Sequence, residues 1–417
     1  MTKLRMILAA TVAAFVALGL GATTSSSATG DNAVVHWSGI AETAISAPTP
    51  PATTLRPPAS STVLAGMVHG AIYDAVAAIE GDLEPFATHV SAPPEALVEA
   101  AVAQAARDVL VARVPAQAAS VQSAYDAYMA TLPAGLARDG GKAVGAAAAA
   151  GMLALRTGDR FDDVVPYVQT PVCPGVFEPI APTSPVDVKL GKVRPFTYDT
   201  PAYRPDAPYA ITSKKYADDV AEVQLLGRNT STTRTAQQTE TVRFFTDPTY
   251  VQFSRGLRRL SGERGLDVAE SAKLLGSTWV AVADTMIACW EAKYHYMFWR
   301  PNHAIQRAAT NPDPTWLPLV TGNHPEYPSG HGCFTAGVTK SLQEHFGSRW
   351  LELTLTSTVT GTTRTYTNLG QLVADVEDAR VWGGLHYRTT MTETAKHFPR
   401  IARDVHKDHF RAERGNR

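Results

Sequence analysis

The sequence predicts an all-α fold of two helical bundles with one small β-hairpin. Apolar residues recur at three- and four-residue steps in the first half of the chain and again in the second half, which is the spacing of amphipathic helices. A proline-rich stretch without any period separates these two regions. With 417 residues, 45% of them hydrophobic and 18% charged, the chain can bury a sizeable core.

The N-terminal residues have the pattern of a secretory signal. Lys3 and Arg5 precede an apolar run at residues 6–22, and small residues at 26–28 suit cleavage. The alternative is an uncleaved membrane anchor, but a run of about 17 residues is short for a spanning helix. We therefore expect a signal peptide at residues 1–28 and a secreted or extracytoplasmic protein. Because no later run looks long and apolar enough to cross a bilayer, we expect no stable membrane span after cleavage.

Charge and cysteine content narrow the classes of partner. Removing residues 1–28 would leave 36 basic and 39 acidic side chains, a net charge of −3, which gives no reason to expect a nucleic-acid partner. Cys173, Cys289 and Cys333 allow at most one disulfide within the chain, and the sequence leaves its pairing open. The absence of a C-x-x-C pair means that there is no zinc signature. Oligomerisation also stays open.

The first helical region is rich in alanine. Within residues 60–160, Leu64, Val68 and Ile72 begin a series of apolar residues at helical spacing. We place an N-terminal bundle, with the segment that follows it, at residues 29–215. Residues 166–208 contain ten prolines and no period, which indicates a long ordered connection. We expect this proline-rich segment to cross near the mouth of the site in the second bundle.

Helical spacing returns at about residue 214 and predicts a second, catalytic bundle at residues 216–410. A Thr-rich alternating run at 351–366, with Gly361 near its middle, predicts the hairpin. The expected helices of this bundle cover residues 237–245, 268–300, 370–382 and 391–405.

One face of the predicted helix at 268–300 ends in two cations. Lys293 and Arg300 are seven residues apart, which is two turns of a helix. Burying both charges is unfavourable unless an anion meets them. The alternative is that both side chains reach water past the helix end, which Pro301 would terminate. The shared face consists of Leu275, Trp279, Val282, Met286, Trp290, Lys293, Met297 and Arg300.

The tetrapeptide at residues 328–331, Pro-Ser-Gly-His, leads directly into another predicted helix. A helix N-terminus offers unpaired N–H groups and the positive end of the helix dipole. Gly330 lets the backbone approach an oxyanion closely, and Ser329 adds a hydroxyl donor. An ordinary helix cap with a histidine nearby explains the tetrapeptide equally well.

Arg380 and His386 form the third element. Six residues of continuous helix would point their side chains about 120° apart, so both can face one site only if Gly383-Gly384 breaks the helix. As an isolated pair they could equally be dipole partners at helix ends.

Taken together, the order Lys-x6-Arg-Pro, Pro-Ser-Gly-His and Arg-x5-His is specific. It resembles the shared signature of the vanadium haloperoxidases and the phosphatases related to type 2 phosphatidic acid phosphatase. The resemblance covers roughly residues 55–405 and includes weaker matches at 67–75 and 234–238. For His69 and Asp74 in the first of these, we expect packing and capping roles.

The resemblance implies vanadate as the cofactor. His386 would bond to the vanadium, and His331 would be the acid–base group. Lys293 would also polarise the bound oxidant, with hydrogen peroxide, halide and a small organic acceptor as the reaction partners. We call the residues that would hold the oxyanion the oxyanion cradle: Lys293, Arg300, Ser329, Gly330, Arg380 and His386.

The same cradle could hold a phosphate ester, with His386 attacking phosphorus and His331 protonating the leaving alcohol. The related phosphatases typically carry Ser before the last Arg and Asp four residues after the last His, whereas this chain has Ala379 and Thr390. Thr390 favours the haloperoxidase and leaves the partner of His386 unknown. Trp290 resembles the aromatic beside the haloperoxidase site, although it could equally be a core residue. A catalytically silent oxyanion binder would need the cradle but not His331.

His324, five residues before Ser329, bears on the choice of halide. Bromide-oxidising members of the family resemble this chain in having His there, whereas chloride-oxidising members tend to have an aromatic ring. An imidazole keeps the pocket wetter, so we expect activity with bromide and iodide but little with chloride. The alternative is a loop histidine that makes a backbone hydrogen bond.

Overall fold

The computed structural model describes residues 32–48, 55–309 and 312–411. The predicted signal peptide lies outside these residues. Within them the chain forms fourteen α-helices and one two-stranded antiparallel sheet, which confirms the all-α prediction with its hairpin.

The helices of the first half are α1 (Ala33–Ser46), α2 (Pro58–Glu80), α3 (Val98–Arg113), α4 (Ala118–Thr131) and α5 (Leu136–Leu155). Those of the second half are α6 (Lys214–Leu226), α7 (Ala236–Phe244), α8 (Thr249–Glu263), α9 (Val268–Tyr296), α10 (Pro301–Gln306), α11 (Gly330–Phe346), α12 (Leu369–Trp382), α13 (Arg388–His397) and α14 (Pro399–Asp408). Strands β1 (Leu353–Thr356) and β2 (Thr363–Tyr366) form the hairpin.

Helix α2 lies at the centre and packs along α9, with α3 and α5 on its other side. The two long helices approach closely at Gly276, where an added Cβ would lie 3.0 Å from Tyr73 Cβ and 3.2 Å from the His69 carbonyl. Helix α2 is long and apolar enough to cross a membrane, so our expectation that no such run follows the signal was wrong. Since 89% of its most apolar window is buried inside the protein, its composition is that of a core helix.

The long helix α9 begins as the sequence predicts but ends earlier. Asp267 and Glu270 form a capping box at its start. At its other end Met297 adopts a left-handed conformation with φ of 48°, so Arg300 lies beyond the helix and precedes α10. Pro301 occupies the first turn of α10, where its missing N–H costs nothing. The prediction of one helix at 268–300 with Arg300 on its face, ended by Pro301, was therefore wrong.

The proline-rich segment at 166–208 is ordered without α-helix, as expected. The buried carboxylate of Asp284 on α9 accepts hydrogen bonds from Phe196 N at 2.6 Å, Thr197 N at 3.0 Å and Thr197 Oγ1 at 2.6 Å. Burial raises the pKa of this carboxyl to about 6. The segment is therefore held to the long helix that carries Lys293.

Two predicted helices and the cysteine pairing can also be compared with the structure. The helix at 370–382 is α12, and it ends just before Gly383-Gly384, where Gly384 has φ of 77°. The helix expected at 391–405 is instead two helices, α13 and α14, because the chain turns at Phe398 and Pro399 starts a new helix. Cys289 and Cys333 form a disulfide that joins α9 to α11, and Cys173 is an exposed free thiol.

His69 and Asp74 have the structural roles that we expected. His69 is 1% exposed and its ring stacks on Trp279. Asp74 accepts hydrogen bonds from the backbone N–H groups of Phe86, Ala87 and Thr88. His69 therefore packs α2 against α9, and Asp74 holds the chain at residues 86–88 to α2.

Candidate oxyanion site

The three sequence elements of the oxyanion cradle meet around the C-terminal end of α9. Arg300 Nη1 lies 3.2 Å from His386 Nε2, and Arg300 Nη2 lies 2.9 Å from His324 Nδ1. Burial lowers the pKa of His386 well below its ordinary value, and the nearby charges of Arg300, Lys293 and Arg380 lower it further. The break at Gly383-Gly384 lets Arg380 and His386 face the same region, as predicted.

The ammonium of Lys293 is fully buried and bonds to backbone carbonyls. Its Nζ donates to the carbonyl of Pro325 at 2.8 Å, to that of Glu326 at 3.2 Å and to that of Pro328. All three carbonyls belong to the loop that leads into α11. Burial, reinforced by nearby Arg300, lowers the pKa of Lys293 well below its ordinary value. The alternative, in which Lys293 extends into water, is excluded because its exposure is 0%.

Arg300 lies where α9, the loop before α11 and the turn after α12 come together. Its Nε donates to the His324 carbonyl at 2.8 Å, and Nη1 donates to the Leu385 carbonyl at 2.7 Å. Burial lowers its pKa to about 10. The guanidinium therefore remains a cation, held mainly by neutral groups.

Ser329 and Gly330 form the N-terminus of α11. Ser329 Oγ accepts from Gly332 N at 3.2 Å and so caps the helix, which leaves the hydroxyl hydrogen available to another acceptor. A Cβ added to Gly330 would lie 3.0 Å from the Trp290 ring. The cap and the close backbone approach are therefore both present.

His386 has a partner that the sequence left unknown, the carboxylate of Glu326. His386 Nδ1 donates to Glu326 Oε1 at 2.9 Å, and Tyr387 N donates to the same oxygen at 3.1 Å. Thr390 Oγ1 donates to Glu326 Oε2 at 2.9 Å. Because a guanidinium can only donate, Nε2 of His386 is the acceptor in its contact with Arg300. The Nε2 lone pair therefore points into the cradle.

Sequence reasoning missed Glu326, although one signal was available. It is an acidic residue in a short loop of apolar residues and prolines directly before Ser329. Its exposure is 0%, and burial raises its pKa to about 7. An acid in that setting needs buried donors, and His386, Tyr387 and Thr390 supply them.

Arg380 and His331 have partners that the sequence did not indicate. Arg380 Nη1 donates to the Phe245 carbonyl at 3.2 Å, while its buried Nε has no hydrogen-bond partner among the described residues. The ring of His331 lies in the same region, and its Nε2 is 2.9 Å from Thr249 Oγ1. Burial lowers the pKa of Arg380 to about 9 and that of His331 well below its ordinary value.

The site has an excess of buried positive charge. Lys293, Arg300 and Arg380 are at most 4% exposed and share the region with the carboxylate of Glu326. Buried charges are costly unless they are paired. Across the described ranges, no group of three or more His, Cys, Asp or Glu side chains could hold a metal ion directly. The charge and the donors therefore suit an oxyanion.

A cavity of about 90 Å³ opens beside the cradle. Val186 and Asp187 of the proline-rich segment contribute to its wall, so this segment lies beside the site. Trp290, 4% exposed, is both a core residue and a wall of this cavity, and its ring lies 5.2 Å from that of His324. The other cavity residues include Thr249, Met286, His324, Gly330, His331 and Phe334.

Comparisons with known proteins agree with this geometry. Residues 273–414, about a third of the chain, match the family model described as the VCPO second helical-bundle domain. The crystal structure of a bacterial vanadium-dependent iodoperoxidase superposes with a TM-score of 0.78 at 18% identity, over 92% of this chain and 98% of that chain.

Two structures of bacterial vanadium-dependent chloroperoxidase also match. The holo form has a TM-score of 0.73 at 15% identity, over 91% of this chain and 97% of that chain. The apo form has a TM-score of 0.70 at 15% identity, over 87% and 96%. At these identities the likeness is one of fold. No curated protein matches the sequence.

Proposed function

We propose that this chain, which has the fold of the vanadium haloperoxidases and their second-bundle domain, binds vanadate in the oxyanion cradle. In this proposal it uses hydrogen peroxide to oxidise halide to hypohalous acid, which halogenates small organic acceptors. The observation that carries the proposal is the excess of buried positive charge around His386. Three buried cationic side chains lie in this region, those of Lys293, Arg300 and Arg380. In the described part of the chain, Glu326 is the one carboxylate that bonds to His386.

The residues present fit vanadate. The two guanidinium groups suit pairs of oxygens, and the ammonium of Lys293 acts as a point charge. Arg380 Nε is a buried donor without a partner among the residues that the structure describes, and the Nε2 lone pair of His386 faces Arg300. Gly330 keeps the N-terminus of α11 accessible at a place that a Cβ would fill. His386 Nε2 would bond to the metal, and the other cradle residues would hold the oxygens.

Bound vanadate supplies a Lewis-acidic centre that activates hydrogen peroxide toward halide without a change of oxidation state. The protein's own contribution is charge, orientation and proton handling. Lys293 and the two arginines neutralise the oxyanion, and Glu326 holds the His386 ring in the tautomer whose Nε2 is unprotonated. His331 lines the cavity beside the cradle and would be the acid–base group; burial lowers its pKa and so favours the neutral ring.

The phosphatase alternative shares this cradle. The sequence disfavoured it because Thr390 replaces an orienting acid, but Glu326 supplies a carboxylate to His386 from another position. The absence of an acid at position 390 therefore does not separate the two reactions, and the preference for the haloperoxidase rests on the comparisons.

Both activities should be measured on one preparation. One arm follows halogenation of a phenolic dye with vanadate, peroxide and bromide, and the other follows phosphate-ester hydrolysis without vanadate. Ester hydrolysis without bromide-dependent halogenation would overturn the proposal.

The role of His386 as the residue that would bond to vanadium can be tested by vanadate binding alone. We expect His386→Ala to lose tight vanadate binding, because the remaining groups offer only hydrogen bonds and charge to the oxygens. The matched control is His303→Ala, a histidine of α10 outside the cradle. Vanadium stoichiometry after dialysis is the measurement, and an unchanged value in His386→Ala would exclude this role.

We further propose that His324 favours bromide and iodide over chloride. His324 lines the cavity, packs against Trp290 and bonds to Arg300 Nη2. An aromatic side chain at this position would leave the oxidant less solvated than the imidazole does. Burial, with Lys293 and Arg300 nearby, lowers the pKa of His324 well below its ordinary value, so the ring is neutral. His324→Phe should raise the chloride-to-bromide rate ratio, and no change in that ratio would refute the assignment.

We also propose that the chain acts outside the cytoplasm. The signal pattern at residues 1–28 supports this location, and so does the buried disulfide between Cys289 and Cys333, since disulfides persist mainly in oxidising compartments. Expression of the full chain with a tag at its C-terminus, followed by fractionation and N-terminal sequencing, tests both parts. Retention in the cytoplasm with residue 1 intact would contradict them.

A further inference from the structure

Residues 245–249, here called the 245–249 loop, join α7 to α8 beside the oxyanion cradle. Helix α7 ends at Phe244 and α8 begins at Thr249. The last carbonyls of a helix have no partner within it and carry the negative end of its dipole. The Phe245 carbonyl lies at this position and accepts from Arg380 Nη1 at 3.2 Å.

The hydrogen bond between Thr249 and His331 holds the imidazole in one orientation. Nε2 of His331 lies 2.9 Å from Thr249 Oγ1. In the neutral tautomer whose Nε2 is unprotonated, this nitrogen has a lone pair that accepts from the Thr249 hydroxyl. Both residues line the cavity beside the cradle.

The 245–249 loop is itself tied to the β-hairpin. Asp247 is 2% exposed and accepts from Thr358 N at 2.6 Å and from Thr358 Oγ1 at 3.0 Å. Thr358 lies in the turn between β1 and β2. The hairpin therefore anchors the loop that holds His331, which explains why a small sheet adjoins a helical site.

We propose that Thr249 is a positioning residue for His331, with its hydroxyl holding Nε2 toward the cavity beside the cradle. The proposal deepens the proposed function, because it concerns the residue assigned there to proton transfer. Halide oxidation, H2O2 + X⁻ + H⁺ → HOX + H2O, consumes one proton in each turnover. A ring held in one orientation by a hydrogen bond to Nε2 can accept and deliver that proton in one geometry.

The test compares three single variants of the full chain. Thr249→Val removes the hydroxyl but keeps the branched shape, and Thr249→Ser keeps the hydroxyl. Thr246→Val is the matched control, because Thr246 Oγ1 in the same loop donates to the Arg243 carbonyl, away from the site. Each variant is labelled with ¹⁵N-histidine, and the resonances of His331 are identified by their loss in His331→Gln.

The first readout is the nitrogen resonances of His331 without vanadate. We expect the Nε2 resonance to shift in Thr249→Val and to keep its wild-type position in Thr249→Ser and Thr246→Val. The second readout is kinetic. In Thr249→Val the kcat for bromide oxidation should fall by about tenfold, with the vanadate dissociation constant within about twofold of the wild type, and Thr249→Ser should restore kcat.

An unchanged Nε2 resonance in Thr249→Val would overturn the hydrogen bond and with it the proposal. A shifted resonance with unchanged kcat would overturn the positioning role. If the wild type oxidises no halide, the proposed function fails. The nitrogen resonances then decide on their own whether Thr249 holds the ring.

Discussion

Replacing Glu326 with Gln tests how much the buried carboxylate contributes to the cradle. We expect Glu326→Gln to weaken vanadate binding by between about 10-fold and 100-fold, the usual effect of removing a group that orients a metal-binding histidine. The side chains of Glu and Gln have nearly the same shape, so the substitution removes the charge and leaves the packing in place.

The magnitude follows from the bonds around Glu326. A glutamine oxygen at the Oε1 position can still accept from His386 Nδ1 and Tyr387 N, and its amide nitrogen can face Thr390 Oγ1. What changes is that His386 donates to a neutral acceptor. A hydrogen bond to a charged group contributes about 1.5–3 kcal/mol, compared with about 0.5–1.5 kcal/mol for a neutral pair. The difference of about 1–1.5 kcal/mol corresponds to roughly tenfold in affinity, the lower end of the expected range.

Equilibrium dialysis with vanadium analysis measures the dissociation constant directly. The matched control is Glu393→Gln, a partly exposed glutamate on α13 outside the Glu326 network. The double variant Glu326→Gln/Thr390→Asp returns a carboxylate to the position that the related phosphatases use, and it should recover part of the affinity. Wild-type affinity in Glu326→Gln would refute the view that this charge holds His386.

Three further predictions concern stability, and each is checked by urea unfolding. The Cys289–Cys333 disulfide closes a loop with a sequence separation of 44, so Cys289→Ala/Cys333→Ala should lose about 4 kcal/mol of unfolding free energy, whereas a similar loss in Cys173→Ala would contradict this assignment. Burial raises the pKa of Asp284 from 3.8 to about 6, so the folded state retains a proton that the unfolded state releases. The contribution of Asp284 to the free energy of unfolding should therefore fall by up to about 3 kcal/mol as pH rises from about 4 to about 6, and the same pH dependence in Asp284→Asn as in the wild type would refute this origin. Vanadate at about 100 times its dissociation constant should add about 2.7 kcal/mol, and the absence of any increase would contradict binding to the folded state.

The helical spacing was enough to predict the fold class, because it is a local pattern. The grouping of the cradle residues was implied by the family that the three signature elements resemble, since each element alone left an ordinary structural role open. The end of α9 could not be predicted, because Met297 adopts a left-handed conformation that is uncommon for a residue with a side chain. Arg300 reached the site nevertheless, because α10 begins next to it.

The residues that hold the two histidines could not be found by spacing. Glu326 is 60 residues from His386, and Thr249 is 82 residues from His331. Both contacts depend on how separate helices pack, and no period in the sequence carries that information. The pairing of Cys289 with Cys333 likewise follows from the packing of α9 on α11.

The position of the carboxylate bears on how the sequence separates the two activities. In the related phosphatases the orienting acid lies one helical turn after the histidine, whereas here Thr390 occupies that place and donates to Glu326 Oε2. In this chain the acid that bonds to His386 is Glu326, in the loop before α11, and Thr390 is one of the donors to it. Because the same loop supplies the carbonyls that bind Lys293, Glu326 is set in position by the cradle itself. An acid four residues after the last histidine is therefore not a requirement for an oriented imidazole, and Thr390 alone cannot assign this chain to either reaction.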